Sequence, residues 1–197
     1  MLMNFAEKTM MNNPLRTYLQ RTYETDQFLS MGGLTKDEHI LEVGCGRGVG
    51  VEIILNAFRA KQVDAFDLDP TMVRAAQKRL KKHAKKVNVQ VGDVTNIQAP
   101  DNHYDSVFDF GIIHHVPDWR LAIKEVHRVL KPGGKFYAEE VFEKFIKHPL
   151  WRALLKHPQH DRFNEQQFKL ALEESGFTVK STNQLFGQFG WFIAVKN

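Results

Sequence analysis

Four glycines alternate with other residues between positions 44 and 50, in the segment EVGCGRGVG that begins at Glu42. The mostly apolar residues 40–43 predict a short buried strand, and the helical spacing of apolar residues after position 50 predicts a helix. A glycine loop between a strand and a helix brings bare backbone N–H groups and the positive end of the helix dipole close to a ligand. The segment therefore predicts a binding loop.

The spacing of the glycines narrows the kind of ligand. The dinucleotide fingerprint G-x-G-x-x-G would need glycine at position 49 or 51, and both positions are valine. A phosphate-binding P-loop would need Lys followed by Ser or Thr, which this segment lacks. The pattern E-x-G-x-G-x-G thus favours a nucleoside-bearing ligand with no pyrophosphate, and it disfavours a nicotinamide-dependent oxidoreductase.

Three aspartates and a histidine pair follow the later predicted strands: Asp67, Asp93, Asp109, His114 and His115. Open α/β sheets bind ligands outside the carboxyl ends of their strands, so we expect these side chains near the glycine loop. Asp67 lies about 20 residues beyond the loop, the separation expected of an acid that binds ribose hydroxyls.

Alternating strands and helices are predicted to position these residues. Asp69 followed by Pro70 predicts a helix N-cap, and Lys131-Pro132-Gly133-Gly134 predicts the end of a helix over residues 118–130. The connections are short, so the pattern predicts a parallel sheet covered by helices on both faces. The predicted strands cover residues 40–43, 62–67, 87–91, 104–110 and 136–141.

The last third of the chain departs from this alternation. A helix is predicted to begin near Asn164, where Gln167 completes a capping box, and to end at Gly176. Two strands follow, over residues 177–182 and 190–195. Their connection is too short for a crossover helix, so we expect them to pair antiparallel.

Composition predicts a single domain in the cytoplasm. The net charge is +4, and much of the excess lies in residues 78–86, where a solvated helix end is favoured over a functional basic patch. The single cysteine, Cys45, excludes a disulfide framework, and no metal site is expected. The start of the chain lacks signal-peptide features, and no apolar run approaches the ~20 residues of a membrane span.

Six motifs, in order, make the chain resemble the class I S-adenosylmethionine-dependent methyltransferases. The resemblance is to the small-molecule branch that includes the ubiquinone and menaquinone biosynthesis enzymes. It implies a single-domain, Rossmann-like, doubly wound α/β fold with a seven-stranded, mostly parallel sheet and an antiparallel C-terminal strand pair. It also implies S-adenosylmethionine as cofactor and S-adenosylhomocysteine as its product. The motifs lie at residues 40–50, 67–70, 91–94, 104–107, 114–118 and 130–134.

The resemblance implies roles for the glycine loop. Gly44, Gly46 and Gly48 would pack under the methionine part and the ribose, and Glu42 would orient the loop. Cys45 is expected to be a small loop residue with no catalytic role, since nothing nearby would lower its pKa.

Further cofactor contacts are implied at the ends of the later strands. Asp67 would accept hydrogen bonds from both ribose hydroxyls, and Leu68 would cover one face of the adenine. Asp93 would accept from the adenine amino group, and the Val94 N–H would donate to a ring nitrogen. Asp109 would face the methionine end, where the cationic sulfur favours a carboxylate.

The acceptor pocket is expected to lie beside the cofactor. By the resemblance, residues 1–35 form a helical lid, 36–141 the cofactor-binding core, 142–163 a variable pocket segment, and 164–197 a closing helix and strand pair. His115 is the candidate general base, although filling the pocket wall is the favoured alternative. The acceptor-pocket candidates are Tyr18, Tyr23, His114, His115, Glu140 and Trp151.

Absent motifs favour a small-molecule or lipid acceptor over nucleic acid. The chain carries Asp109-Phe110-Gly111-Ile112 where amino-methylating nucleic-acid enzymes have an Asn/Asp-Pro-Pro-aromatic motif, and it has no RNA-binding module. Two alternatives stay open: a phospholipid N-methyltransferase in peripheral contact with a membrane, and a cofactor-binding protein without activity. The sequence does not predict the oligomeric state.

Overall fold

Seven strands form one sheet in the computed structural model, which describes residues 13–146 and 161–197. The strand order is β3-β2-β1-β4-β5-β7-β6, with β1 to β5 parallel and β7 antiparallel to both of its neighbours. This confirms the predicted α/β sheet and its antiparallel C-terminal strands. The strands are β1 (His39–Val43), β2 (Gln62–Asp67), β3 (Val87–Val91), β4 (Tyr104–Phe110), β5 (Leu130–Val141), β6 (Phe177–Leu185) and β7 (Phe189–Lys196).

Helices precede, connect and cover these strands. Asn13 caps the first, and Asp69 caps the helix after β2 by accepting a hydrogen bond from the Thr71 N–H at 2.8 Å. Asn164 and Gln167 form the predicted capping box. The helices are α1 (Pro14–Leu19), a π-helical segment (Gln20–Glu24), α2 (Thr25–Gly32), α3 (Val49–Asn56), α4 (Pro70–Arg79), α5 (Trp119–Val129), α6 (Glu143–Ile146) and α7 (Glu165–Glu174), with 3₁₀ turns at Lys81–His83 and Ile113–His115.

Two hydrophobic cores lie on opposite faces of the sheet. One contains apolar residues of α2, α3 and α4, with the fully buried Phe28 and Phe58 near its centre. The other contains those of α5 and α7, with the fully buried Trp119 and Phe168. Both faces of the parallel sheet are covered, so the strands are well packed. The loops that follow their carboxyl ends therefore start from ordered positions.

The bounds of the last three strands, β5, β6 and β7, differ from those predicted from the sequence. β5 begins at Leu130, directly after α5, and not at Phe136 as predicted. A register shift between Tyr104 and Ser106 of β4 lets residues 131–134 bulge while the strand pairing continues. Strands β6 and β7 also extend further toward their shared turn than predicted, because their ladder pairs as far as Leu185 with Phe189.

None of the helices in the described part of the chain is both long enough and apolar enough to cross a bilayer. Trp151, predicted to line the acceptor pocket, lies outside the described residues.

Candidate functional site

A cavity of about 380 Å³ opens at the carboxyl ends of β1, β2, β3 and β4. We call it the loop cavity. The chain enters β1, moves outward through β2 and β3, and then returns to β4 on the other side of β1. The cavity therefore lies where the strand order reverses, the usual ligand site of an open α/β sheet. Of the predicted cofactor residues, it is lined by Glu42, Gly44, Cys45, Gly46, Asp67, Leu68, Asp93 and Val94.

Asp67 connects the glycine loop to the end of β2. Its Oδ2 accepts a hydrogen bond from the Gly46 N–H at 2.8 Å, and its Oδ1 accepts from the Asp69 N–H at 2.8 Å. The Cys45 N–H also donates to the Phe66 carbonyl at 2.9 Å. The carboxylate is thus positioned by the loop and by its own strand end, and it lines the cavity.

The loop glycines serve different purposes. All three predicted positions, Gly44, Gly46 and Gly48, have positive φ. A Cβ on Gly46 would meet open space, whereas one on Gly48 would lie 2.9 Å from a methyl carbon of Leu80. Gly48 does not line the loop cavity, and its predicted place under the cofactor stays a prediction. Its small size lets the start of α3 pack against α4.

This difference predicts opposite effects for two similar substitutions. Gly46→Ala places a methyl group at the loop cavity and should weaken S-adenosylhomocysteine binding, with a stability loss limited to the ~1–2 kcal/mol of left-handed backbone strain. Gly48→Ala adds a packing clash to the same strain and should cost about 2–4 kcal/mol of unfolding free energy while sparing affinity. Calorimetric titration and urea unfolding of both variants measure this. Equal affinity losses in the two would contradict the assignment.

Glu42 is a buried carboxyl group that faces the loop cavity. Its side chain approaches the α-carbon of Gly50, and its Oε2 has no hydrogen-bond partner among the described residues. Burial, reinforced by the nearby Asp67 and Asp109, raises the pKa of Glu42 well above its usual value. An unsatisfied buried carboxyl group suits a ligand that brings N–H donors or positive charge.

Leu68, Asp93 and Val94 form the far side of the loop cavity. Leu68 is exposed at the cavity edge, whereas Val94 is buried. Oδ1 of Asp93 accepts hydrogen bonds from the backbone N–H and the hydroxyl of Thr95, at 2.9 and 2.8 Å. This turn fixes the direction of the Asp93 carboxylate.

Cys45 is unsuited to nucleophilic chemistry. The side chain is buried, and this burial, with Glu42 and Asp67 nearby, raises the pKa of its thiol well above the usual value. The thiolate is the reactive form, so the structure agrees with a packing role in the loop.

Asp109 lies behind the site and does not line either large cavity. The side chain is fully buried, and its Oδ1 accepts from the Ile112 N–H at 2.8 Å. Burial first, and then the neighbouring Glu140, raise the pKa of Asp109 well above its usual value. The side chain turns back to hold the loop after β4, and its predicted place at the methionine end stays a prediction. Gly111 and Ile112 of that loop line the loop cavity instead.

A second cavity, of about 400 Å³, adjoins the first. We call it the apolar cavity, because most of its wall is aliphatic or aromatic. Residues that line both cavities are Arg16, Phe110, Gly111 and His115. We call these four residues the shared wall. A group bound in the loop cavity would face a group bound in the apolar cavity at this wall.

His114 and His115 end the short turn at this wall. The His114 side chain is buried, and its Nδ1 lies 2.7 Å from Oε2 of Glu140. The half-buried His115 ring packs against the His114 ring, with centroids 4.3 Å apart. Glu140 thus holds His114, and through ring contact His114 supports His115 at the shared wall.

Two of the predicted acceptor-pocket residues lie elsewhere. Tyr18 is 64% exposed and lines neither cavity, because it lies on the outer face of its helix. Glu140 is fully buried and also lines neither, because successive side chains of β5 point to opposite faces of the sheet. The neighbouring Glu139 lines the apolar cavity in its place, together with the predicted Tyr23.

Sequence reasoning missed an ion-pair cluster between the N-terminal helices and β5. Arg16 bonds to Glu24, and a guanidinium nitrogen of Arg16 lies 3.6 Å from Oε1 of Glu139. Burial opposes the positive charge of Arg16, but Glu139 and Glu24 together raise its pKa above the usual value. The available signal was an arginine and a glutamate two helical turns apart within the predicted lid. Nothing local linked them to β5.

One group of possible metal ligands lies outside both cavities. Within the ranges 13–146 and 161–197, the only such group is His39, Asp64 and His103. Asp64 Oδ2 already contacts His39 Nε2 at 2.9 Å and accepts from the Tyr104 hydroxyl at 3.1 Å. These contacts make the cluster a hydrogen-bonded network at the start of β1 and β4, and we assign no metal ion to it.

The fold and site together define a class of protein, which the family match identifies. Residues 41–138 match the family described as the methyltransferase domain. The chain belongs to the class I S-adenosylmethionine-dependent methyltransferases. The cofactor of this class is S-adenosylmethionine, and S-adenosylhomocysteine is its product form.

Individual relatives support this membership. The chain is 32% identical to the demethylmenaquinone methyltransferase of Staphylococcus epidermidis over 135 residues, 66% of this chain and 54% of the relative. It is 33% identical to malonyl-[acyl-carrier protein] O-methyltransferase 1 of Ilyobacter polytropus over 103 residues, 52% of this chain and 38% of the relative. These matches cover about half or less of each relative's length.

A solved structure shows the same fold over nearly the whole chain. It is an S-adenosylmethionine-dependent methyltransferase from Aquifex aeolicus, with a TM-score of 0.76, 21% identity and 98% coverage of both chains. The two relatives named above differ in acceptor, so the comparisons do not identify the molecule that this chain methylates.

Proposed function

We propose that the chain transfers a methyl group from S-adenosylmethionine to a small molecule bound in the apolar cavity. The observation that carries the proposal is the shared wall, which places a nucleoside-type site and an apolar site side by side. The residues of the loop cavity fit the cofactor. Gly46 leaves open space at the loop, and the unpartnered carboxyl oxygen of Glu42 suits the ammonium group of the methionine part.

The protein's contribution is alignment and exclusion of water. When bound, S-adenosylmethionine supplies a methyl group already activated by its positively charged sulfur. Asp67 and the glycine loop would fix the nucleoside, and Arg16, from helix α1, covers part of the shared wall. Good alignment of the acceptor atom with the methyl group accounts for up to ~7–11 kcal/mol of a barrier. A general base is needed only where the acceptor must lose a proton.

We propose that His115 shapes the shared wall and does not act as a general base. His115→Ala should then raise the KM for the acceptor about 3- to 30-fold, with a smaller effect on kcat, because a wall contact is lost and proton transfer is not. Steady-state kinetics across pH 6–9 measure this, with cofactor affinity as the control. A kcat lowered by ~10²–10⁴-fold, together with loss of a pH-dependent step, would assign the base role instead.

A methyl-transfer screen tests the proposed function. The purified chain is incubated with methyl-labelled S-adenosylmethionine and pools of phenols, amines, acyl compounds and phospholipid vesicles. Label should enter a small-molecule pool, and S-adenosylhomocysteine should raise the melting temperature because it binds only the native state. Label in vesicle lipid would favour the phospholipid alternative. Ligand-induced stabilisation without transfer to any pool would favour a cofactor-binding protein without activity.

A further inference from the structure

Two neighbouring residues in the wall of the apolar cavity each carry an unpartnered polar atom. Glu139 of β5 and Trp191 of β7 are directly opposed in the antiparallel ladder, so their side chains share one face of the sheet. Both residues line the cavity, and they are only 5% and 3% exposed. Glu139 Oε2 and Trp191 Nε1 each lack a hydrogen-bond partner among the described residues.

Most of the cavity wall around this pair is apolar. Leu19, Tyr23, Phe145 and Phe189 line the same cavity, and the Tyr23 ring meets the Trp191 ring edge-on with centroids 5.6 Å apart. Buried polar atoms in native proteins are nearly always hydrogen-bonded, and unsatisfied ones cost free energy. A mostly apolar wall with a few convergent polar atoms is typical of a small-molecule site, in which the ligand completes those bonds.

The charges around the pair favour a neutral ligand. Burial, with Glu24 close by, raises the pKa of Glu139 well above its usual value, although Arg16 acts in the opposite direction. The guanidinium of Arg16 already pairs with Glu24 and lies 3.6 Å from Glu139, so the cavity offers neither a free cation to a carboxylate nor a cation-free carboxylate to an ammonium group. Either ion would also lose its hydration in this cavity.

We propose that the methyl acceptor is a neutral, largely apolar molecule carrying a hydroxyl group, which accepts from Trp191 Nε1–H and donates to Glu139 Oε2. A hydroxyl is the simplest group that both accepts and donates at one oxygen. The inference rests on the proposed function. Glu139 and Trp191 line the apolar cavity but not the loop cavity, so this hydroxyl anchors the molecule. The atom that receives the methyl group lies at the shared wall, beside Gly111 and His115.

Matched alkylbenzenes test the anchor in protein saturated with S-adenosylhomocysteine. The probes are 4-propylphenol, propylbenzene, 4-propylbenzoate and 4-propylbenzylammonium, titrated by ¹H–¹⁵N NMR. The chain has three tryptophans, and Trp191→Phe identifies the indole N–H signal of Trp191. We expect 4-propylphenol to bind at least tenfold more tightly than each of the other probes and to shift that indole signal downfield. In Trp191→Phe, its advantage over propylbenzene should fall to threefold or less.

Phe189→Leu is the matched control, since it alters the apolar wall without removing a polar atom. Both neutral probes should bind it more weakly while their affinity ratio stays unchanged. Equal affinity for 4-propylphenol and propylbenzene, an unmoved indole signal, or preference for either charged probe would overturn the inference. Equal affinity for the two neutral probes would mean that water forms the hydrogen bonds of Glu139 and Trp191. If Trp191→Phe does not fold, the ranking of the four probes in the wild-type protein decides. Failure of S-adenosylhomocysteine to bind would instead contradict the proposed function.

Discussion

Asp67→Ala is expected to raise the dissociation constant of S-adenosylhomocysteine by ~10–150-fold, which corresponds to a loss of ~1.5–3 kcal/mol for hydrogen bonds to a charged acceptor. Two losses combine in this variant. The ligand loses its proposed carboxylate partner for the ribose hydroxyls, and the loop loses the bond from the Gly46 N–H to Asp67 Oδ2. Isothermal titration calorimetry measures the dissociation constant directly.

Two further variants test whether the loss of affinity comes from the Asp67 carboxylate or from a general disturbance of β2. Asp67→Asn keeps one accepting oxygen and should fall between wild type and Ala. Asp64→Ala removes a carboxylate from the same strand, where it contacts His39 and Tyr104 outside the loop cavity. This control should leave the affinity unchanged. Wild-type affinity in Asp67→Ala would make Asp67 a purely structural residue and the ribose assignment wrong.

The cofactor side of the site was largely predictable from sequence because its signals are local. A strand, a glycine loop and a helix follow one another within residues 39–56, and Asp67 ends the next strand. Parallel strands place such ends at one edge of a sheet, so their order along the chain is enough to bring them together. Asp109 also lies at a strand end, but a short-range hydrogen bond from the Ile112 N–H holds its side chain, which does not line the cavity.

The acceptor side depends on contacts between distant segments. Glu139 and Glu140 are adjacent and chemically alike, and only the direction of the strand's pleat decides which one faces the apolar cavity. The alternation of side chains along β5 shows that Glu139 and Glu140 point to opposite faces of the sheet. It does not show which of those faces carries the apolar cavity. Trp191 meets Glu139 only through the register of β5 and β7. Arg16 reaches the same place from α1, a helix outside the sheet.

The buried Glu140 predicts an unusual dependence of stability on pH. Its Oε1 accepts from the Ile113 N–H and its Oε2 from the His114 N–H, both at 3.1 Å. Burial raises the pKa of Glu140 to about 7, and hydrogen bonds from Asp109 and the backbone of His114 offset the burial only in part. A carboxyl group with a pKa raised in the folded protein binds protons more tightly there than in the unfolded chain.

The sign of the effect follows from this difference in proton binding. Between the usual pKa of 4.5 and about 7, the folded protein holds more protons than the unfolded chain. The contribution of Glu140 to stability is therefore complete below pH 4.5 and is lost as the pH rises through 7. At ~1.4 kcal/mol per pKa unit, the loss is on the order of 2–4 kcal/mol.

Glu140→Gln removes the titrating group and should remove this loss. Urea unfolding of wild type and variant at pH values from 4.5 to 8 gives their unfolding free energies, and the wild-type value should fall relative to that of the variant as the pH rises. The variant also alters the field at Asp109, so the difference includes the response of that carboxyl group.

Glu125→Gln is a control of opposite sign. Hydrogen bonding to Arg128 lowers the pKa of Glu125, so its contribution is lost only as the pH falls below the usual 4.5, and from pH 4.5 to 8 the profile of Glu125→Gln should stay parallel to that of wild type. Parallel pH profiles for wild type and Glu140→Gln would show that Glu140 does not titrate in this range. That outcome would contradict a pKa of about 7 for Glu140 in the folded protein.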